Sequence, residues 1–320
     1  MTLLVSISAV LGGLAALIWS ADRFVDGSSM VARHYQVSPL IIGMIIIGFG
    51  TSAPEMVVSL FASLQGNPGI ALGNAYGSNI ANLGLIIGVT AIVSPILVQS
   101  SIVRRELPIL MAVTAFTAWI LWDGTLGRTD GVSLMILFGA LMGWSIRQSK
   151  TPDILAGEVD VTNPPADVPL RGAVLRLVGG LVLLIASSRV LVWGAVDLAT
   201  RLGVSDLVIG LTVIAIGTSL PELASSISAV RKGQYDMAIG NVIGSNLFNT
   251  LVVVGIASLV HPLEVPNGVL SRDVSVMAVM TLFVAVFGVG LRRQGRINRV
   301  EGGLLVAGWA VYTVYLVVTV

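Results

Sequence analysis

The sequence predicts an all-α polytopic membrane protein: ten transmembrane helices in two inverted five-helix repeats, with broken helices at the membrane midplane. Three observations carry this. Of the 320 residues 55% are hydrophobic and only 11% charged, less than half the roughly 25% charge of a soluble domain. Ten apolar runs fill the chain, most of them close to the about 20 residues that a span needs. A shift of the sequence on itself by 167 residues superimposes two polar motifs that lie inside those runs.

In order, the apolar runs are 3–21, 38–64, 68–98, 107–122, 131–146, 173–188, 204–230, 235–260, 274–291 and 302–320. No Lys or Arg precedes the first, and a similar run at 173–188 opens the second half, so the first is read as a retained span rather than a signal peptide. The segment 147–171 carries Asp153, Glu158, Asp160, Asp167 and four prolines, too polar to span and too rich in proline for a helix. It divides the chain into a first repeat (1–147), a linker (148–170) and a second repeat (171–320).

Alternate loops lie on opposite sides. Fourteen of the eighteen Lys and Arg residues fall on one side: Arg23, Arg33, Arg104, Arg105, Arg147, Lys150, Arg171, Arg176, Arg231, Lys232, Arg292, Arg293, Arg296 and Arg299. Arg128, Arg189, Arg201 and Arg272 fall on the other. The positive-inside rule makes the fourteen cytoplasmic, so the linker is expected in the cytoplasm and both termini outside. A net charge of +1 offers no surface for nucleic acid, and zero cysteines exclude disulfides, thiolate metal sites and thiol nucleophiles.

The 167-residue shift lays Gly50-Thr51-Ser52-Ala53-Pro54-Glu55 on Gly217-Thr218-Ser219-Leu220-Pro221-Glu222. It lays Gly73-Asn74-Ala75-Tyr76-Gly77-Ser78-Asn79 on Gly240-Asn241-Val242-Ile243-Gly244-Ser245-Asn246, and Asn82 on Asn249. Fifteen of the thirty-three positions from 50 to 82 are identical to their counterparts. Five spans per half, an odd number, make the halves enter the membrane from opposite sides, the inverted-repeat plan of secondary transporters with a midplane site.

A carboxylate inside a span costs at least about 2.5 kcal/mol, so Glu55 and Glu222 read as functional. Pro54 and Pro221 have no N–H, which leaves the Gly50 and Gly217 carbonyls without their helical donor and available as ligands. Thr51, Ser52, Thr218 and Ser219 add hydroxyls within the same turn. Ser78 with Asn82, and Ser245 with Asn249, stand four apart on one helix face. Two carboxylates among neutral oxygens, with no His, Cys or Met motif, are hard-cation chemistry: Ca²⁺ takes six to eight oxygens, whereas Zn²⁺ and Cu prefer nitrogen and sulfur. Asp130 and Glu301 are read as helix caps. His34 and His261 are given no role.

These paired motifs in two five-span halves resemble the prokaryotic sodium/calcium exchangers of the cation/calcium exchanger superfamily, over essentially the whole chain. The resemblance implies an antiporter in a bacterial or archaeal plasma membrane, exchanging Ca²⁺ for Na⁺ with no cofactor and no required oligomer. It implies that the matched side chains, with the backbone carbonyls of Gly48 and Ala215, form a cluster of Ca²⁺ and Na⁺ sites, and that the first and sixth helices, about 3–24 and 173–196, slide over the rest. One departure is Asn249, where exchangers of the best-understood type carry an aspartate. Ca²⁺/H⁺ exchange on the same glutamates is the close alternative, and a passive cation channel is an alternative of another class. An intramembrane hydrolase would need an activated water, for which the chain has no zinc motif or nucleophile and base pair.

Overall fold

In the computed structural model, which describes residues 3–35, 37–149, 169–203, 215–289 and 295–319, the apolar runs fold as helices. The first half supplies α1 (Leu3–His34), α2 (Pro39–Thr51), α3 (Ala53–Leu64), α4 (Pro68–Val93), α5 (Ile102–Asp123) and α6 (Arg128–Ser149). The second supplies α7 (Leu170–Arg201), α8 (Ala215–Thr218), α9 (Leu220–Arg231), α10 (Tyr235–Val260), α11 (Val269–Gly288) and α12 (Arg299–Thr319). Short strands β1 (Ile96–Val98), β2 (Thr125–Leu126), β3 (Leu263–Glu264) and β4 (Gly295–Ile297) form two antiparallel ribbons, β1 with β4 and β2 with β3, that join the two halves.

Among the described residues eight helices are long and apolar enough to cross a membrane, and nine if α2 and α3 make one span bent by 47°. The expected span 204–230 is described only from residue 215, as α8 and α9, and most of the polar linker lies outside the described residues.

The breaks have a local cause. Pro54 and Pro221 occupy the first turns of α3 and α9, and the residue before each helix, Ser52 or Ser219, leaves the helical region at φ −81° ψ 4° and φ −91° ψ 6°. Neither helix can continue backwards, because a proline cannot bond the carbonyl four residues before it. The turns that follow α3 and α9 contain Gly66 and Gly233 at φ 70° and 71°, a left-handed conformation that a side chain resists.

α4 and α10 are the core: 72% and 89% of their spanning windows are buried, against 22% for α1 and α7 and 11% for α12. Both central helices pass through a π-helical turn, Asn82–Ile86 and Phe248–Val253. These wide turns begin at or beside Asn82 and Asn249, in keeping with the frequent use of π-bulges at functional sites.

α1 and α7 are longer than the apolar runs imply, 32 residues each, or about 48 Å at 1.5 Å per residue. They lie antiparallel, with Gly13 against Leu191, Gly27 against Leu177, Gly180 against Phe24 and Gly194 against Ser6. The Ser20 and Ser187 hydroxyls meet at 3.4 Å. The helix continues through Asp22 and Asp26 because both have partners: Lys232 Nζ lies 2.7 Å from Asp26 Oδ1, and Ser228 Oγ donates to Asp22 Oδ1 at 2.5 Å. Ser29 Oγ, one turn on, donates to Gln234 Oε1 at 2.7 Å.

The two expected caps form. Asp130 Oδ2 accepts from Gly127 N–H at 2.8 Å. Glu301 Oε2 accepts from Asn298 N–H at 2.7 Å while Asn298 Oδ1 accepts from the Val300 and Glu301 N–H groups, the reciprocal arrangement that satisfies the first donors of a helix.

Candidate cation site

The two breaks are brought together against α4 and α10. Glu55, in the first turn of α3, and Glu222, in the first turn of α9, are each 1% exposed. The hydroxyls beside one break serve the carboxyl of the other. Ser52 Oγ donates to Glu222 Oε1 at 3.2 Å, and Thr51 and Ser245 also adjoin that carboxyl. Thr218 adjoins the Glu55 carboxyl, which feels the charge of Glu222. Neither glutamate belongs to an ion pair among the described residues.

Several buried oxygens on the broken spans and on α4 and α10 lack a protein partner among the described residues, including Tyr76 Oη, Asn79 Oδ1 and Thr90 Oγ1 of α4. Among the described residues no hydrogen bond of good geometry reaches Glu55 Oε1 or Oε2, Glu222 Oε2, Asn82 Oδ1, Asn249 Oδ1 or Ser219 Oγ. An unmet polar atom in a protein interior costs about 1–3 kcal/mol, and more if charged. Three of these atoms belong to carboxylates, and oxygens of this kind are the ligand type that hard cations take. No group of three or more His, Cys, Asp or Glu side chains with metal-holding geometry exists among the described residues.

The other candidates are placed as follows. Ser245 Oγ donates to the Gly48 carbonyl at 3.4 Å, tying α10 to α2. Asn82 Nδ2 donates to Asn246 Oδ1 at 3.0 Å, across the crossing of α4 and α10, where Asn79 Nδ2 also donates to Thr250 Oγ1 at 2.7 Å. Asn249 is 1% exposed and neither of its amide atoms has a partner among the described residues. Ser78 is buried one turn before Asn82 and makes no side-chain hydrogen bond among them. Ala215 opens α8.

One expectation is corrected for one of the two halves. The Gly217 carbonyl is not left free: it accepts from Ser188 Oγ of α7 at 3.0 Å. The Ser52 N–H beside Gly50 O bonds Gly48 O instead, at 3.1 Å. A carbonyl that loses its helical donor in apolar surroundings takes whatever donor is in reach. The Gly217 carbonyl keeps a second lone pair.

Sequence reasoning gave no role to Asn74 and Asn241, and both grip the glutamate backbones. Asn74 Nδ2 donates to Glu55 O at 3.0 Å and to Ser59 Oγ at 2.8 Å. Asn241 Nδ2 donates to Glu222 O at 3.2 Å, Ser225 Oγ at 3.1 Å and Ser226 Oγ at 2.9 Å. The signal was present in the repeat, because Asn74 and Ser59 match Asn241 and Ser226 at the 167-residue shift.

Comparison with known proteins identifies the family and the fold. The family model described as sodium/calcium exchanger protein matches residues 5–147 and 172–318. The chain is 45% identical over 313 residues to the putative antiporter CaxA of Alkalimonas amylolytica, covering 97% of this chain and 98% of that one. It is 30% identical to the sodium/calcium exchanger MaX1 of Methanosarcina acetivorans, covering 95% and 96%. A solved structure of the sodium-calcium exchanger NCX_Mj superposes with a TM-score of 0.84 at 33% identity, over 98% of this chain and all of that one. The chain belongs to the sodium/calcium exchanger protein family, and is a multi-pass membrane transporter, not an enzyme.

Proposed function

We propose that the protein is a secondary antiporter that exchanges Ca²⁺ for Na⁺ by alternating access. Its cations bind between the two broken spans, to Glu55, Glu222, Thr51, Ser52, Thr218, Ser219, Ser78, Asn82, Ser245, Asn249 and the Gly48 and Ala215 carbonyls. The observation that carries the reading is the pair of buried glutamates, one from each break, among oxygens that no protein donor satisfies. A Ca²⁺ ion neutralises the two formal charges. Na⁺ competes for the same oxygens, so the two ions take turns. Purified protein in sealed vesicles loaded with Ca²⁺ and challenged with an inward Na⁺ gradient should release the ion; a pH gradient should not. Release driven by the pH gradient alone would replace Na⁺ with H⁺ as the coupling ion, a reading that Asn249 favours because it leaves two carboxylates for two protons. Leak in the absence of either gradient would indicate a channel.

The architecture that goes with this function is ten spans in two inverted halves, 1–147 and 171–320, with the 148–170 linker in the cytoplasm and both termini outside. The reciprocal service of one break's hydroxyls to the other's glutamate supports it. A cysteine placed in the linker of this cysteine-free chain should be labelled from the cytoplasmic side alone, and one after Val320 from outside alone. Labelling of both from one side would remove the inverted plan.

Asn249 sets a further test. Asn249→Asp adds a third carboxylate among the buried oxygens, which attracts monovalent cations by several kcal/mol before the cost of desolvating the new charge is subtracted. The Na⁺ concentration for half-maximal Ca²⁺ release should fall on the order of tenfold, about 1.4 kcal/mol. An unchanged Na⁺ dependence would show that the number of carboxylates does not set Na⁺ affinity here.

A further inference from the structure

We propose that Asn241 is a positioning residue of the cation site, which acts through Thr51. The inference deepens the reading of the buried oxygens as the exchange site and rests on it. Asn241 is 1% exposed and reaches from α10 to both broken spans at once. Its orientation is fixed chemically: the Glu222 carbonyl can only accept, so Nδ2 must face α9 and Oδ1 must face α2. Oδ1 there accepts from Thr51 Oγ1 at 3.2 Å.

Thr51 has one hydroxyl proton. Its acceptors are Asn241 Oδ1 and Ile47 O, at 3.2 and 3.0 Å. The same hydroxyl adjoins the Glu222 carboxyl, which as a charged group is the stronger attractor of a proton. If Thr51 turned its proton there, it would occupy a carboxylate lone pair needed by the cation. With the proton shared between Ile47 O and Asn241 Oδ1, Thr51 offers the site lone pairs alone, and Glu222 Oε2 keeps all of its own. The amide grip recurs in the first half, where Asn74 Nδ2 holds the Glu55 carbonyl and Ser59, so the orientation of Asn241 toward α9 follows the repeat.

The test is a two-residue cycle on Ca²⁺ flux in vesicles. Asn241→Leu, close to Asn in size and without polar atoms, should raise the half-saturating Ca²⁺ concentration on the order of tenfold. In a Thr51→Val background the same substitution should change it at least threefold less, because the proton it positions is gone. Ser225→Ala and Ser226→Ala remove the two hydroxyl partners of the amide and keep its contacts with the Glu222 carbonyl and Thr51, and should leave half-saturation within twofold. If Asn241→Leu does not fold, Asn241→Ser takes its place in the cycle. Equal fold-changes in both backgrounds, or serine variants as impaired as Asn241→Leu, would overturn the inference while the exchange function stood. A natural chain that moves no Ca²⁺ would remove the function and the inference with it.

Discussion

Glu55→Gln and Glu222→Gln should each abolish Ca²⁺ transport in vesicles and leave a folded, membrane-inserted protein. Glutamine keeps the shape and one oxygen but removes a unit charge. At about 4 Å and an effective dielectric near 20 the attraction between two unit charges is about 4 kcal/mol, hence about 8 for a divalent ion. Ligand desolvation offsets part of that, yet half of it still corresponds to a loss in affinity of more than 100-fold. The fold is spared for reasons visible in the structure. Ser52 can still donate to the retained oxygen of residue 222, and a glutamine at position 55 keeps one oxygen for the Thr218 hydroxyl that adjoins it. Two like charges held close also repel, so replacing one by an amide relieves the cation-free protein. Thermal melts separate these effects: the natural chain should be stabilised by added Ca²⁺, since a ligand that binds only the folded state raises its stability. Either variant should melt no lower than the natural chain without Ca²⁺ and should show no shift with it. Near-normal flux in either would remove these glutamates from the site.

How much of this was legible in the sequence depends on what each residue signals by itself. Pro54 and Pro221 announce the breaks because the missing N–H is a local fact, and α2 and α3 do bend at that place. Glu55 and Glu222 announce a site because a charge inside an apolar run has no inexpensive alternative. α1 and α7 were underestimated because Asp22, Asp26 and Asp197 look like the end of a span. Their helices continue since each acid finds a partner distant in sequence: Lys232 and Ser228 for α1, and Ser6 for Asp197. The π-helical turns beside Asn82 and Asn249 have no signature in composition, as they depend on how α4 and α10 cross. The fate of the Gly217 carbonyl was hidden for the same reason: its donor, Ser188, sits 29 residues earlier on another helix. Asn74 and Asn241 carry no charge to mark them, and only their match across the repeat, together with Ser59 and Ser226, sets them apart.

Gly244→Ala should cost transport more than about tenfold and lower the melting temperature, although alanine is the better helix former. Glycine to alanine inside a helix is worth about 0.8–1.0 kcal/mol in favour of alanine, so a loss of stability reverses the usual sign. The reason is the contact between α10 and α2. A Cβ on Gly244 would stand 2.1 Å from the Met44 carbonyl oxygen and 2.6 Å from Met44 Cα, and all three of its nearest neighbours are backbone. Backbone cannot rotate away as a side chain can. The helices must separate by about an ångström, and overpacking of this kind costs about 1–3 kcal/mol. Close approach of small residues is itself what holds membrane helices together, because lipid gives them no hydrophobic drive to associate. The separation would fall beside Gly48 and Ser245, where α2 and α10 share a hydrogen bond to a proposed ligand carbonyl. Binding geometry tolerates shifts of only about 0.5 Å, so flux should fall further than stability alone explains. Gly139 of α6 is the control: it is exposed, and a Cβ there meets nothing within 4 Å among the described residues. Gly139→Ala should keep flux within twofold and melt no lower than the natural chain. If Gly244→Ala behaved like Gly139→Ala, the contact between α2 and α10 would not be what spaces the Gly48 carbonyl from Ser245.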